Sequence, residues 1–377
     1  MMWANRAEEA QQALADLYWN PSIRLYDIEI PCPDGACNTI FHYWWMAHAV
    51  DALVDGYDRT RNPRYAATLA DLHEGLLVRN GGAFPNELYD DMEWMAIAWL
   101  RAYEAIGVEA YKATALLLWE DIQTGWNDHM GGGIAWQKSQ PDYKNTPANA
   151  PAAILAARLY KAFGRPEDLA WAQRIYGWMK VNLVNPENGF VWDGMNRTGD
   201  GSIDKDWKFT YCQGVYIGAG VELFRLTGDS VYLTDAKRTA AAAAAELADP
   251  ASGLLQDEGD GDGGLFKGIL VRYLGELARA ESGGTAAAVT DTAAGTDSSA
   301  GSGADAITLL ALNATALWAQ GRDPERCVFG TNWGSAPAER VTLSAQLSGI
   351  MLLEQLALLE RRVPETPLGE APEREAV

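Results

Sequence analysis

Hydrophobic positions in this chain recur with the spacing of helices, and they do so in two alternating styles. In the first, apolar residues cover most of the circumference: Phe41 to Tyr57, Tyr89 to Tyr103, Asn145 to Phe163, Thr210 to Leu226, Leu265 to Ala280 and Val341 to Leu359. Helices of that kind are surrounded by protein on nearly every side. In the second, one face is apolar and the other polar: Arg6 to Trp19, Arg64 to Val78, Glu109 to Ile122, Asp168 to Leu183, Ser230 to Leu247 and Asp305 to Gln320. The styles alternate strictly, outer then inner, and the β-branched alternation that marks strands is nearly absent. The pattern predicts an all-α fold in which six inner helices are ringed by six outer ones. Closing that double-ring toroid pairs the first outer helix with the last inner one and makes a single domain of residues 1–377.

A short internal repeat supports the same unit. An aromatic residue, a break and a tyrosine eight positions on recur as Tyr57 to Tyr65, Tyr103 to Tyr111 and Phe224 to Tyr232, with a looser copy through Phe163, Gly164 and Pro166. Segments rich in Trp, Gly, Asn and Asp precede the inner helices: Asn20 to Asn38, Asn80 to Leu88, Trp126 to Lys144, Asn185 to Phe209, Leu254 to Gly264 and Cys327 to Arg340. They are expected to gather on one face, and loops on a rigid scaffold commonly carry binding and catalysis. Ser282 to Gly303 lacks aromatics and reads as a disordered insertion, and residues 363–377 read as a flexible tail.

Composition narrows the function. The chain has 48 % hydrophobic residues and 15 Trp, enough for a sizeable core. Its net charge of −21 argues against a nucleic-acid partner, which calls for a basic face. No stretch approaches a membrane span. The N-terminus lacks a basic region followed by an apolar one, so a cytoplasmic location is expected. Four cysteines are too few for a disulfide framework, and all four read as ordinary thiols. Arginine outnumbers lysine and alanine is abundant, a bias that goes with GC-rich coding and a bacterial source.

The sharpest local feature is Tyr89-Asp90-Asp91-Met92-Glu93-Trp94. Two adjacent carboxylates could form a catalytic pair, since retaining glycosidases hold two carboxyl groups about 5–5.5 Å apart. Asp90 followed by Glu93 also reads as a helix N-cap with its reciprocal partner. Company favours chemistry. Lys144-Asn145, Phe209-Thr210-Tyr211-Cys212-Gln213-Gly214 and Leu265-Phe266-Lys267-Gly268 each stand where an inner helix begins, so their polar groups are expected at the mouth of the ring. Trp44, Trp45, Trp94, Trp136, Trp192, Trp207 and Trp333 flank them, although about half of these are expected in the core. Flat aromatic faces with amides and carboxylates suit a neutral sugar better than a phosphate ester. The acidic loop Asp257, Glu258, Asp260 and Asp262 lacks the spacing of an EF-hand and reads as solvated or substrate-facing.

The ordered set Phe41-His42-Tyr43-Trp44-Trp45, Asp51-Ala52-Leu53-Val54-Asp55, Tyr89-Asp90-Asp91 with Trp94, Tyr143-Lys144-Asn145, Thr210-Tyr211-Cys212-Gln213-Gly214 and Phe266-Lys267-Gly268 resembles glycoside hydrolase family 76. The resemblance implies an (α/α)6 barrel, endo-acting cleavage of α-1,6-linked mannan with retention, and no metal or cofactor. It makes Asp90 the nucleophile and Asp91 the general acid/base. From their places about the mouth of the ring, Trp94, Asn145, Asp193, Tyr211, Gln213 and Lys267 are the next candidates as substrate-binding groups. Cys212 departs from the family, which more often has Asn there. A helix N-terminus favours an ionised Asp90, and that charge should hold a proton on Asp91. The expected partner is an α-mannan chain, acted on by a monomer. Transglycosylation at the same site, and a binding protein or epimerase on the same toroid, are the alternatives.

Overall fold

The computed structural model describes residues 2–281 and 302–360. Twelve helices follow one another: α1 (Met2–Leu17), α2 (Tyr43–Thr60), α3 (Pro63–Arg79), α4 (Tyr89–Ile106), α5 (Glu109–Gln123), α6 (Ala150–Phe163), α7 (Pro166–Asn182), α8 (Thr210–Thr227), α9 (Ser230–Leu247), α10 (Gly263–Glu281), α11 (Ser302–Ala319) and α12 (Leu343–Glu360). The even-numbered helices pack in sequence, and α12 returns to α2, so the inner ring is closed. Each inner helix carries the next helix on its outer side, and α1 lies against α12. This is the helical toroid that the alternating pattern predicts.

The eight-residue repeat marks how the two rings are joined. α2, α4, α6 and α8 end on a residue in the left-handed region, Arg61, Gly107, Gly164 and Gly228. The amides of these residues bond back to the carbonyls of Tyr57, Tyr103, Tyr160 and Phe224, so Tyr160 rather than Phe163 is the true third copy. One further residue initiates the outer helix, with Pro63 and Pro166 suited to a first turn that has no use for their missing amides. On the inner side, backbones approach until side chains no longer fit. A Cβ on Gly214 of α8 would lie 2.7 Å from the Cα of Leu270 in α10.

The C-terminal halves of the inner helices are tied by buried ion pairs. Asp55 of α2 accepts from Arg101 of α4 at 2.7 Å and from Arg272 of α10 at 2.7 Å, and Asp51 faces the same two guanidinium groups. Arg59 pairs with Glu354 of α12 at 2.9 Å, Arg158 of α6 with Glu222 of α8 at 2.8 Å, and Glu276 with both Arg225 and Arg279. The two arginines hold the Asp51 carboxyl below the usual range despite its burial.

Short strands occupy the loops at the opposite end: β1 (Trp19–Asn20), β2 (Leu25–Tyr26), β3 (Glu29–Ile30), β4 (Ala135–Gln137), β5 (Gln140–Asn145), β6 (Gly194–Met195), β7 (Arg322–Asp323), β8 (Val328–Phe329) and β9 (Val341–Thr342). β4, β5 and β6 form an antiparallel sheet, and β3 pairs with β9 across the closure of the ring. Asn145 therefore ends a strand and does not start a helix. Pro147 disfavours helix at the residue before it, and the Asn145 side chain turns the chain by accepting from Ala148 N–H at 3.2 Å.

Two further expectations meet the structure. Cys32 and Cys37 form a disulfide, because the Pro33-Asp34-Gly35 turn, with Gly35 at φ 64°, brings their Cα atoms to 5.7 Å. Cys212 and Cys327 are free thiols. Of the insertion at 282–303, residues 282–301 lie outside the described residues, as does the tail at 363–377, while Ser302 and Gly303 open α11. No helix among the described residues is long and apolar enough to cross a membrane.

Replacing Asp55 by alanine would leave Arg101 and Arg272 sharing one buried carboxylate. It is expected to lower stability by about 3–5 kcal/mol, read as a lower midpoint in urea unfolding. Glu109→Ala, which breaks the exposed pair with Lys112, should leave that midpoint nearly unchanged.

Candidate active site

Because every inner helix starts at the same end, their first turns and the loops that feed them surround one opening. The cleft there measures about 450 Å3. Asp90 and Asp91 sit in the first turn of α4 at its base, with Trp44, Trp94, Trp136, Phe266 and Tyr211 as aromatic walls. The wall is braced from behind. Trp94 leans on His48 at 4.9 Å, Tyr211 stacks on Phe266 at 4.0 Å, and His42 stacks on Trp45 at 3.8 Å.

The two aspartates differ in surroundings. Asp90 Oδ1 accepts from the Asp91 amide at 2.9 Å, and its Oδ2 accepts from the Trp136 indole at 3.0 Å. Burial pushes its pKa up to about 7 against those bonds, with the charge of Asp193 adding to the rise. Asp91 is more deeply buried, and its one side-chain donor is Asn86 Nδ2 at 3.3 Å. Burial first, then the neighbouring Asp90 charge, lifts its pKa well above the usual range. Asp91 therefore holds its proton more firmly than Asp90. Burial thus works against the helix N-terminus at Asp90, and its carboxyl holds a proton more readily than the helix end alone would allow.

The N-cap alternative does not hold. Leu88 occupies the cap position without a side-chain bond, and Glu93 is turned away from its own helix. Glu93 Oε2 accepts from Ala152 N–H of α6 at 3.1 Å instead, and burial raises its pKa strongly.

Of the other residues singled out from the sequence, Trp94, Asn145, Asp193 and Tyr211 line the cleft with the two aspartates. Asp193 gathers three donors, Tyr143 at 3.2 Å, Tyr211 at 3.1 Å and the Cys212 thiol at 3.5 Å. Gln213 and Lys267 are not among the lining residues. Gln213 is fully buried, accepting from Val191 N–H at 2.8 Å and donating to Val191 carbonyl at 2.7 Å, so it holds the segment that presents Asp193. Lys267 donates to the Thr331 carbonyl and lies 4.6 Å over Trp333, and burial lowers its ammonium to about 8. Both residue types were assigned to sugar from their place at a helix start. In a closed ring half of that first turn faces the neighbouring helix.

Tyr143, His42 and Arg197 line the cleft without having been assigned there, and Asp262 joins them from the acidic loop. Asp262 accepts from the Trp44 and Trp45 indoles at 3.0 and 2.8 Å. The rest of the acidic loop is dispersed: Asp257 accepts from Gly259 N–H, Glu258 from the start of α8 at Thr210, and Asp260 from Thr342. The alternation of acid and glycine was the available signal, and it marked a loop in which Glu258, Asp260 and Asp262 each bind a different element while Asp257 shapes the loop itself.

Residues 2–366 match the profile of glycosyl hydrolase family 76. The chain belongs to this family. Its fold superposes on the α-1,6-mannanase from Salegentibacter sp. HEL1_6 with a TM-score of 0.85 at 41% identity, covering 95% of this chain and 100% of that one. Variants of that enzyme with two consecutive aspartates replaced are described as inactive and as complexed with α-1,6-mannotetrose or α-1,6-mannotriose. A Listeria innocua protein gives a TM-score of 0.85 at 38% identity over 96% of this chain and 98% of that one. Among curated sequences, the mannan endo-1,6-alpha-mannosidase DCW1 of Candida albicans is 25% identical over 86% of this chain and 75% of its own length. The matches to the DCW1 proteins of Candida glabrata and Saccharomyces cerevisiae span about a third of those chains.

A raised pKa in the folded state also sets the sign of a stability effect in this family 76 chain. Between the unfolded pKa of Asp91, about 3.9, and its folded value, the folded state binds the extra proton, so stability falls as pH rises through that window. Asp91→Asn removes the titration. Its melting temperature is expected to exceed that of the parent at pH about 8 and to converge with it near pH about 4.

Proposed function

We propose that this protein is an endo-acting, retaining α-1,6-mannanase with Asp90 as nucleophile and Asp91 as general acid/base. The observation that carries this reading is the adjacent pair of carboxyls with unequal proton affinity at the base of an aromatic-walled cleft. The inactive double-aspartate variants of the Salegentibacter enzyme agree with it.

In the first step the ionised Asp90 carboxylate attacks the anomeric carbon while Asp91 gives its proton to the departing glycosidic oxygen. A mannosyl ester on Asp90 results, and the leaving chain departs as an alcohol. The deprotonated Asp91 then takes a proton from water, whose oxygen displaces Asp90 from the same face that the leaving group left, so configuration is retained. The Trp136 indole, bonded to one Asp90 oxygen, leaves the other oriented by the helix amide.

The α-1,6-mannan core of bacterial lipomannan-type glycolipids is the substrate we favour, on the coding bias of the sequence. Linear α-1,6-mannan, yeast mannan and lipomannan, each incubated with the protein and sized, separate the candidates. The Cys32–Cys37 disulfide favours work in an oxidising compartment over the cytoplasm expected from the N-terminus.

Asp90→Asn is expected to abolish turnover while leaving the fold intact. Asp91→Ala should slow cleavage of mannan by about 10²–10⁴-fold and recover in part with an activated leaving group and azide, giving an azide product of retained configuration. For the parent, kcat/KM should fall below pH about 7 as Asp90 takes up a proton. Full activity in Asp90→Asn, or an inverted product by proton NMR, would overturn the assignment.

A further inference from the structure

All 15 tryptophans of the chain lie among the described residues, and fourteen are buried or half-buried. The exception is Trp207, 41% exposed, and it stands on the lip of the catalytic cleft. Singly exposed apolar side chains are ordinary on a protein surface, and Val78 and Val181 are more exposed still, so what distinguishes Trp207 is its place on the rim of the cleft.

Its support is elaborate for a surface side chain. The Arg197 guanidinium lies 4.3 Å over the ring. Asp204 fixes that guanidinium through Nε at 3.1 Å and Nη2 at 3.0 Å. The loop carrying Arg197 is itself tied down: Asn196 donates to the Asp142 carbonyl at 3.0 Å and accepts from Gly201 N–H at 2.8 Å, and Asp204 N–H bonds to the Gly194 carbonyl at 2.9 Å. Asn196 follows β6 directly, and β6 pairs through β5 with β4, the strand whose Trp136 bonds Asp90. A single sheet therefore connects the exposed indole with the proposed nucleophile.

We propose that Trp207, backed by Arg197, is a distal sugar platform that stacks on a pyranose ring away from the scissile bond and makes long α-1,6-mannan chains better substrates than short ones. The inference rests on the mannanase reading above. The guanidinium covers one face of the indole, and the sugar takes the other. Stacking of this kind adds binding without touching the reacting atoms, so it acts on KM and leaves kcat nearly as it was.

The test compares the parent with Trp207→Ala and Trp207→Phe on linear α-1,6-mannan and on α-1,6-mannotriose. Trp207→Ala is expected to raise KM on the polymer by about tenfold with kcat and melting temperature unchanged, to alter KM on the triose little, and to be largely rescued by Trp207→Phe. Isothermal calorimetry on the Asp90→Asn background, with mannotetraose and mannobiose, should show the same selective loss. An active parent whose Trp207→Ala variant shows equal KM changes on long and short chains, or none, overturns the platform. A parent inert on every α-1,6-mannan overturns the mannanase reading instead.

Discussion

Across the interior of the ring, the carboxylates of Asp51 and Asp55 meet the guanidinium groups of Arg101 and Arg272, joining α2 and α10, which are not neighbours. This pairing gives the two ends of the barrel opposite electrostatics. At the C-terminal ends of the inner helices, buried acids find cations, and the arginines overcome the cost of burying Asp51. At the mouth, neither Asp90 nor Asp91 forms an ion pair among the described residues, so desolvation goes uncompensated and their pKa values rise. The same residue type has its pKa lowered at Asp51 and raised at Asp90 and Asp91 because of what stands opposite.

The mouth is finished by the small sheet, not by the helices. β4 brings Trp136 to Asp90, β5 ends on Tyr143 to Asn145, and the residue before β6 is Asp193. These side chains come from one hairpin and from a loop 50 residues further on, and their register across three short strands fixes their mutual positions. Gln213 and Glu93 contribute from beneath. One binds Val191 ahead of Asp193, and the other, from α4, caps α6. A site built on rigid elements in this way is preorganised before substrate arrives.

The helices were legible in the sequence because burial on all sides and burial on one side leave different periodicities, and a ring of pairs alternates the two. Tyr57, Tyr103 and Phe224 of the repeat were legible too, and their carbonyls receive the capping amides, whereas at the turn after α6 that place belongs to Tyr160 and not Phe163. Periodicity reports which face is covered, however, and is silent on what covers it. It could not distinguish Asp193, in the cleft, from Gln213, bonded to backbone, nor show that Lys267 lies over Trp333. The Cys32–Cys37 bridge was hidden for a related reason: its closure depends on a turn of the chain and not on the number of cysteines.

The inequality of Asp90 and Asp91 follows from position within a single helical turn. Both feel the N-terminal end of α4, whose favourable effect on an anion is at most about 2 kcal/mol in a partly buried setting. Asp90 adds an indole and an amide donor, whereas Asp91 has one side-chain amide at longer range and lies deeper. Whichever carboxyl ionises first raises the other, so a modest difference in hydrogen bonding becomes a firm division of protons between neighbours. Adjacent positions on a helix point about a hundred degrees apart, which is what lets two aspartates in one turn meet different walls of the cleft. A pair spaced by four residues would share a face and a common environment, and would lose that asymmetry.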